Sequence, residues 1–272
     1  MALSVIFILI VCGLLVNVMS ALFGIGGGIL MVPILRTLFP ELPFQVIAAC
    51  SLTIVMGSAC LNLIRFRQEK EQIDKSNLLF WSISMIAGVQ IGFELSFLLS
   101  DLTITAVFSG TLALLAVRTL FQKRRNTDYQ QTKSLKDLSY GMASCGFGGF
   151  IAGITGIGGG SIMAPLVAQI RSVHPKQIAI YTNYMMVFGG IGNLFGYLSR
   201  DLDKTLYPLP GGQVGYVNFS IVGIVIISSF CTSFMTQRLR SHLSAEMINR
   251  ALGTLLFFIA IYYFSLQSII SH

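Results

Sequence analysis

The chain has 272 residues, of which 54% are hydrophobic and only 11% charged, with a formal net charge of +7. A typical soluble domain is about 25% charged, so the composition excludes a soluble globular protein and points to a polytopic membrane protein. The basic excess is spread over polar loops. An anionic inner leaflet accounts for it, and no nucleic-acid partner is expected.

Ten apolar runs follow one another in chain order, roughly residues 3–22, 28–39, 44–64, 78–99, 102–121, 138–155, 161–171, 177–198, 215–236 and 247–268. A spanning helix needs about 20 residues. Eight runs are long enough to cross alone, and 28–39 and 161–171 are not. Twelve helical residues cover about 18 Å of a hydrocarbon core about 30 Å thick, so each short run is predicted to be a half-helix. The first run, "MALSVIFILIVCGLLVNVMS", lacks the basic start of a cleaved signal peptide and is expected to remain as the first membrane helix.

Both half-helices directly follow a glycine run. "SALFGIGGGILMVPIL" occupies 20–35 and "AGITGIGGGSIMAPLV" occupies 152–167, each reading G-I-G-G-G-x-x-M-x-P and ending at Pro33 or Pro165. Glycine is the poorest helix former after proline, so each run is predicted to break a helix inside the membrane. Irregular backbone is tolerated there only where protein covers it or a polar cavity receives it. The N-terminus of the half-helix that follows carries about half a positive charge and several unpaired N–H donors. The duplicated motif therefore predicts one central anion site built largely from backbone donors. The competing reading is close helix packing through small residues. Packing alone explains neither the doubled proline nor the doubled half-length segment.

The repeat extends past the glycines. "QVIAACSLTIVMGSACLNLIRF" (45–66) and "QIAIYTNYMMVFGGIGNLFGYL" (177–198) align with one gap, setting Ser51 against Thr182 and Asn62 against Asn193. The most polar stretch, "QKRRNTDYQQTKSLKD", lies between the copies. The expected organisation is a first transmembrane repeat over 1–121, a basic cytoplasmic linker over 122–137 and a second repeat over 138–272. The predicted fold is all-α, with each half holding four long transmembrane helices and one glycine-broken half-helix.

Charge argues for orientation, because cytoplasmic loops collect Lys and Arg. With eight crossings, twelve basic residues lie inside and six outside. With ten crossings and both termini outside, the division becomes fifteen and three, the three being Arg36, Arg200 and Lys204. Matching loops of the two halves carry opposite bias, as an inverted repeat requires. The ten-crossing inverted arrangement is the preferred reading.

Five cysteines (Cys12, Cys50, Cys60, Cys145, Cys231) fall in apolar runs without CxxC spacing, and three histidines form no ligand cluster. No metal site, cofactor or catalytic constellation is expected, and an enzyme is the least supported class. A non-transporting membrane scaffold or assembly factor is the alternative to a transporter, and it would need no polar centre.

The paired glycine motifs, together with "GGQVGYVNF" (211–219), resemble those of the sulfite exporter TauE/SafE family of membrane permeases, over nearly the whole chain. The resemblance implies secondary transport of small sulfur-containing anions, such as sulfite or organosulfonates, across the cytoplasmic (inner) membrane. Carried over by position, the binding candidates are Gly24, Gly26, Gly27 and Gly28 with Gly156, Gly158, Gly159 and Gly160. The copies differ where Phe23 stands against Thr155 and Ile29 against Ser161, so Ser161 joins the candidates and the second half is expected to supply more side-chain hydrogen bonds. Asn62, Asn193 and Thr182 are candidates for lining the cavity, with interhelical hydrogen bonding the competing role. Glu94 is the one acid clearly inside a span, which makes it the candidate for proton coupling, although its place near the helix end lets it reach the interface. The expected partners are a small anion and the bilayer. A homodimer is the oligomer left open.

Overall fold

In the computed structural model, the described residues are 3–23, 27–66, 73–121, 135–170, 172–202, 211–242, 253–254 and 256–262. Nearly all are helical. In order, α1 is Leu3–Phe23, α2 Gly28–Leu38, α3 Phe44–Phe66, α4 Lys75–Ser96 and α5 Asp101–Phe121. They are followed by α6 Leu135–Thr155, α7 Gly160–Val167, α8 Pro175–Leu198 and α9 Phe219–His242. The chain is helical again over 253–254 and 256–262. Among the described residues, three helical spans are long and apolar enough to cross a membrane: Phe44–Ile64, Lys75–Ser96 and Asp101–Thr119. Large apolar side chains such as Phe7, Ile91, Leu114, Phe195 and Ile227 stand exposed on the outside. Such a surface suits lipid and not water. The protein is an all-α membrane protein.

Most element boundaries lie within about three residues of the sequence reading, and two differ by more. The second half-helix was expected over 161–171 but α7 ends at Val167, and residues 168 and 169 form a turn. The run 215–236 does not begin as helix. Two short antiparallel strands, β1 (Gln213–Val214) and β2 (Val217–Asn218), pair Gln213 with Asn218 and Val214 with Val217. Gly215 opens the tight turn between them at φ 53°, a left-handed conformation that favours glycine. Asn218 then accepts a hydrogen bond from the Ile221 N–H at 3.0 Å and starts α9, as a side-chain cap does.

Packing follows the small residues. The α4–α6 interface is the most extensive, and α1–α9, α3–α8 and α4–α8 come next. Glycines on both helices let α4 and α6 approach backbone to backbone. A Cβ at Gly88 would collide with the Gly146 carbonyl, one at Gly92 with the Phe150 carbonyl, and one at Gly153 with the Val89 carbonyl. This is the small-xxx-small geometry of membrane helices. The α6 glycines are therefore packing glycines. In the two broken segments, Gly27, Gly28 and residues 156–160 are buried, with α2 packed against α3 and α7 against α6 and α8.

Candidate functional site

The second break runs from Thr155 to Gly160. Gly156 and Gly158 take φ values of 67° and 80°, which cost an L side chain about 1–2 kcal/mol per residue. Glycine thus turns the chain here, and α7 starts afresh at Gly160. The first break also ends on a glycine, but Gly27 before α2 is left-handed at φ 70° whereas Gly159 before α7 is right-handed at φ −58°. Gly24 and Gly26 lie outside the described residues. Gly27 packs against Val16 and leaves no space for a Cβ. Gly28 lies so close to the Ile157 carbonyl that a Cβ would collide with it. The two breaks therefore touch, one half against the other.

The second break leaves several N–H groups without a backbone acceptor among the described residues. Ile162 and Met163 donate to the Gly159 carbonyl, at 3.2 and 2.8 Å. Among the described residues no backbone carbonyl accepts from the N–H groups of Gly158, Gly159, Gly160 or Ser161. These residues are buried. Buried backbone N–H groups are almost always paired, by protein, water or ligand. The start of an α-helix is where such donors collect.

A small internal cavity of about 10 Å³ lies beside this break. Its wall includes Gly158 and Gly159, Leu52 and Val55 of α3, Met85 and Val89 of α4, and Met186, Gly189, Gly190 and Asn193 of α8. A water needs about 10–15 Å³, so the cavity in this conformation holds about one. Asn193 is 1% exposed and its amide interacts with the hydroxyl of Tyr197, one turn on, though neither makes a hydrogen bond of normal geometry. One side-chain amide and the break glycines thus face the same apolar-walled space.

The other candidates are spent differently. Ser161 donates to the Gly158 carbonyl at 3.1 Å and Thr155 to the Ile151 carbonyl at 2.7 Å. Both hydroxyl protons therefore go to local backbone. Thr182 donates to Ile178 and Ala179 carbonyls of its own helix. Ser51 reaches across the halves and donates to the Gly156 carbonyl at 2.9 Å, holding the break. Asn62 donates to the Asn183 Oδ1 at 3.1 Å, joining α3 to α8. Glu94 is far from this group in role: it does not line the cavity and accepts from Arg200 Nη2 at 2.6 Å. Sequence reasoning missed Met85, Val89, Met186 and the Gly189–Gly190 pair. Only the glycine pair carried a visible signal, as small residues in the helix that repeats α3.

A helical membrane protein whose two glycine-broken segments touch beside a buried cavity has the build of a transporter. The family comparison agrees: residues 9–263 match the model for sulfite exporter TauE/SafE. The chain belongs to that family of membrane transporters. It is 51% identical to a "probable membrane transporter protein" of Haemophilus influenzae over 265 residues, covering 96% of this chain and 97% of that one. A probable membrane transporter protein of Methanocaldococcus jannaschii is 23% identical over 92% of this chain and 91% of its own. One of Bacillus subtilis is 26% identical over 76% and 85%. No solved structure matches the chain.

Proposed function

We propose that this transporter is a secondary permease for a small sulfur-containing anion, sulfite or an organosulfonate, in the cytoplasmic membrane. The observation that carries the reading is the coincidence, at one cavity, of the buried break glycines Gly158 and Gly159, whose N–H groups have no backbone acceptor among the described residues, with the Asn193 amide. A small oxyanion supplies acceptors for all of them, and the helix N-terminus favours its charge. The family's printed name supports the choice of sulfur oxyanion. The cavity of about 10 Å³ is too small for such an anion, so this conformation is the closed one, and the flexible Met85 and Met186 side chains are the parts that yield.

We further propose that residues 1–121 and 138–272 form an inverted repeat of ten segments, joined by a cytoplasmic linker at 122–137. The packing pattern supports it. Exchanging α1, α2, α3 and α4 for α6, α7, α8 and α9 turns the α4–α6 contact into α9–α1 and α4–α8 into α9–α3. The same exchange turns α2–α3 into α7–α8 and maps α3–α8 onto itself. These contacts map onto one another under the exchange, as two halves related by a pseudo-two-fold axis require.

Purified protein in proteoliposomes tests the function. Labelled sulfite should exchange against internal sulfite, organosulfonates should compete, and simple monocarboxylates should compete weakly. Exchange no faster than in empty liposomes refutes it.

A further inference from the structure

Three layers follow one another along α4 and α8. The first is the cavity, with Val89 and Asn193 in its wall. One helical turn on, Phe93 and Tyr197 are each 1% exposed and meet edge to face, their ring centroids 4.5 Å apart at 80°. Phe97 packs edge-on against Phe93 at 5.1 Å, and Tyr216 of the β1–β2 turn packs against Phe97 at 5.4 Å. The third is the Arg200–Glu94 ion pair at 2.6 Å, on the exposed flank of the aromatic layer: Glu94 directly follows Phe93 and is 61% exposed, and Arg200, just past the end of α8, is 35% exposed.

The layers are mechanically joined. The Arg200 guanidinium lies over the rings of Phe97 and Phe93, 4.1 and 5.0 Å from their centroids. It therefore holds the aromatic layer as well as the carboxylate. The turn is seated on α8: Tyr216 N–H donates to the Tyr197 carbonyl at 3.0 Å, and Gly215 lies against the carbonyls of Tyr197, Leu198 and Arg200. A path from this end to the cavity would pass these rings, and parting them would stretch the contacts of Arg200 with both rings and with Glu94.

We propose that the aromatic layer is a gate over the anion site, that Glu94 and Arg200 are its latch, and that Arg200 is the residue that receives the incoming anion in place of Glu94. The proposal rests on the reading of the cavity as an anion site. A guanidinium matches the oxygens of a sulfite, sulfonate or carboxylate as it matches those of Glu94. The entering anion displaces the carboxylate, the latch opens, and the cation that held the gate shut becomes the first binding group of the substrate.

The test has two readouts. Val89→Cys places a thiol in the cavity wall, and mass spectrometry of its peptide reports modification by a water-soluble maleimide in the purified protein. Glu94→Gln and Arg200→Gln should each speed that modification about threefold. Sulfite exchange in proteoliposomes should then separate them. Glu94→Gln frees Arg200, so KM stays the same or falls. Arg200→Gln removes the receiving group, so KM rises about tenfold. Arg200→Lys keeps the charge without the planar fork and should lie between them, and it serves as the folded control if Arg200→Gln does not assemble. Unchanged modification rates overturn the gate. Faster modification with KM moving the same way in both variants overturns the receiving role, because loss of a merely structural ion pair treats its partners alike. Absence of wild-type sulfite exchange overturns the substrate reading instead, and the modification rates still decide the gate.

Discussion

Replacing Gly159 by alanine separates a binding glycine from a packing glycine. Gly159 sits at φ −58° and ψ −19°, a conformation alanine adopts freely. The new Cβ would lie 2.7 Å from Met85 Cε and 3.1 Å from Met163 Cε, the far ends of two flexible thioethers. Those ends can shift at little cost. Gly159 is the N-cap of α7, where alanine gains nothing over glycine, so the loss of stability should be about 1–3 kcal/mol, set by tight packing. The added methyl, however, stands in the wall of a cavity of only about 10 Å³, at the donors the anion needs. Wild-type protein with sulfite at a hundredfold excess over Kd should gain about 2.7 kcal/mol. The mutant should gain none. Thermal unfolding in detergent, with and without sulfite, reads both quantities at once. If Gly159→Ala keeps the wild-type ligand shift, the break is not the anion site and the glycines serve packing.

Gly28→Ala should behave in the opposite way, because its Cβ would collide with the Ile157 backbone carbonyl; yield and melting temperature of the purified variant should drop whether or not ligand is present. Asn193→Leu should abolish sulfite exchange while lowering stability by no more than about 1 kcal/mol, the loss of one loosely formed hydrogen bond to the Tyr197 hydroxyl; a much larger fall in melting temperature would assign the amide to structure. Gly92→Ala, at the close α4–α6 contact, should cost about 1–3 kcal/mol by overpacking and leave the KM of the surviving protein unchanged. If Glu94 also carries a coupling proton, Glu94→Gln should abolish the response to an imposed pH gradient and keep sulfite exchange; a full response assigns Glu94 to the latch alone.

Length of apolar run and glycine spacing made the helices legible. The half-helix starts at Gly28 and Gly160 follow from backbone propensity alone, which is local and therefore visible in sequence. The hairpin at Gln213–Asn218 was hidden because "GGQVGYVNF" adjoins a long apolar run, and hydropathy does not distinguish a capped turn from a first helical turn. The site divided in the same way. The break glycines carried a repeated pattern, and Asn193 stood out as a polar residue in an apolar span. Met85 and Val89 carried none, because a side chain that lines a cavity and one that faces lipid are equally apolar. Glu94 was visible as an acid near a helix end, but its partner Arg200 lies 106 positions further on. That pairing depends on how α4 and α8 pack, and no local rule reaches so far.

The central claim is that one anion sits against the start of α7 and beside Asn193. Selenite is the heavier counterpart of sulfite, and its selenium scatters anomalously. A structure of the protein soaked with selenite at a concentration that saturates its competition with sulfite tests the claim most directly. The account predicts selenium density beside the second break, its oxygens within hydrogen-bonding distance of the Gly159 to Ser161 N–H groups and of the Asn193 amide, and no such density in Gly159→Ala. Selenium bound at Arg200 alone, or anywhere away from the two glycine breaks, would contradict it.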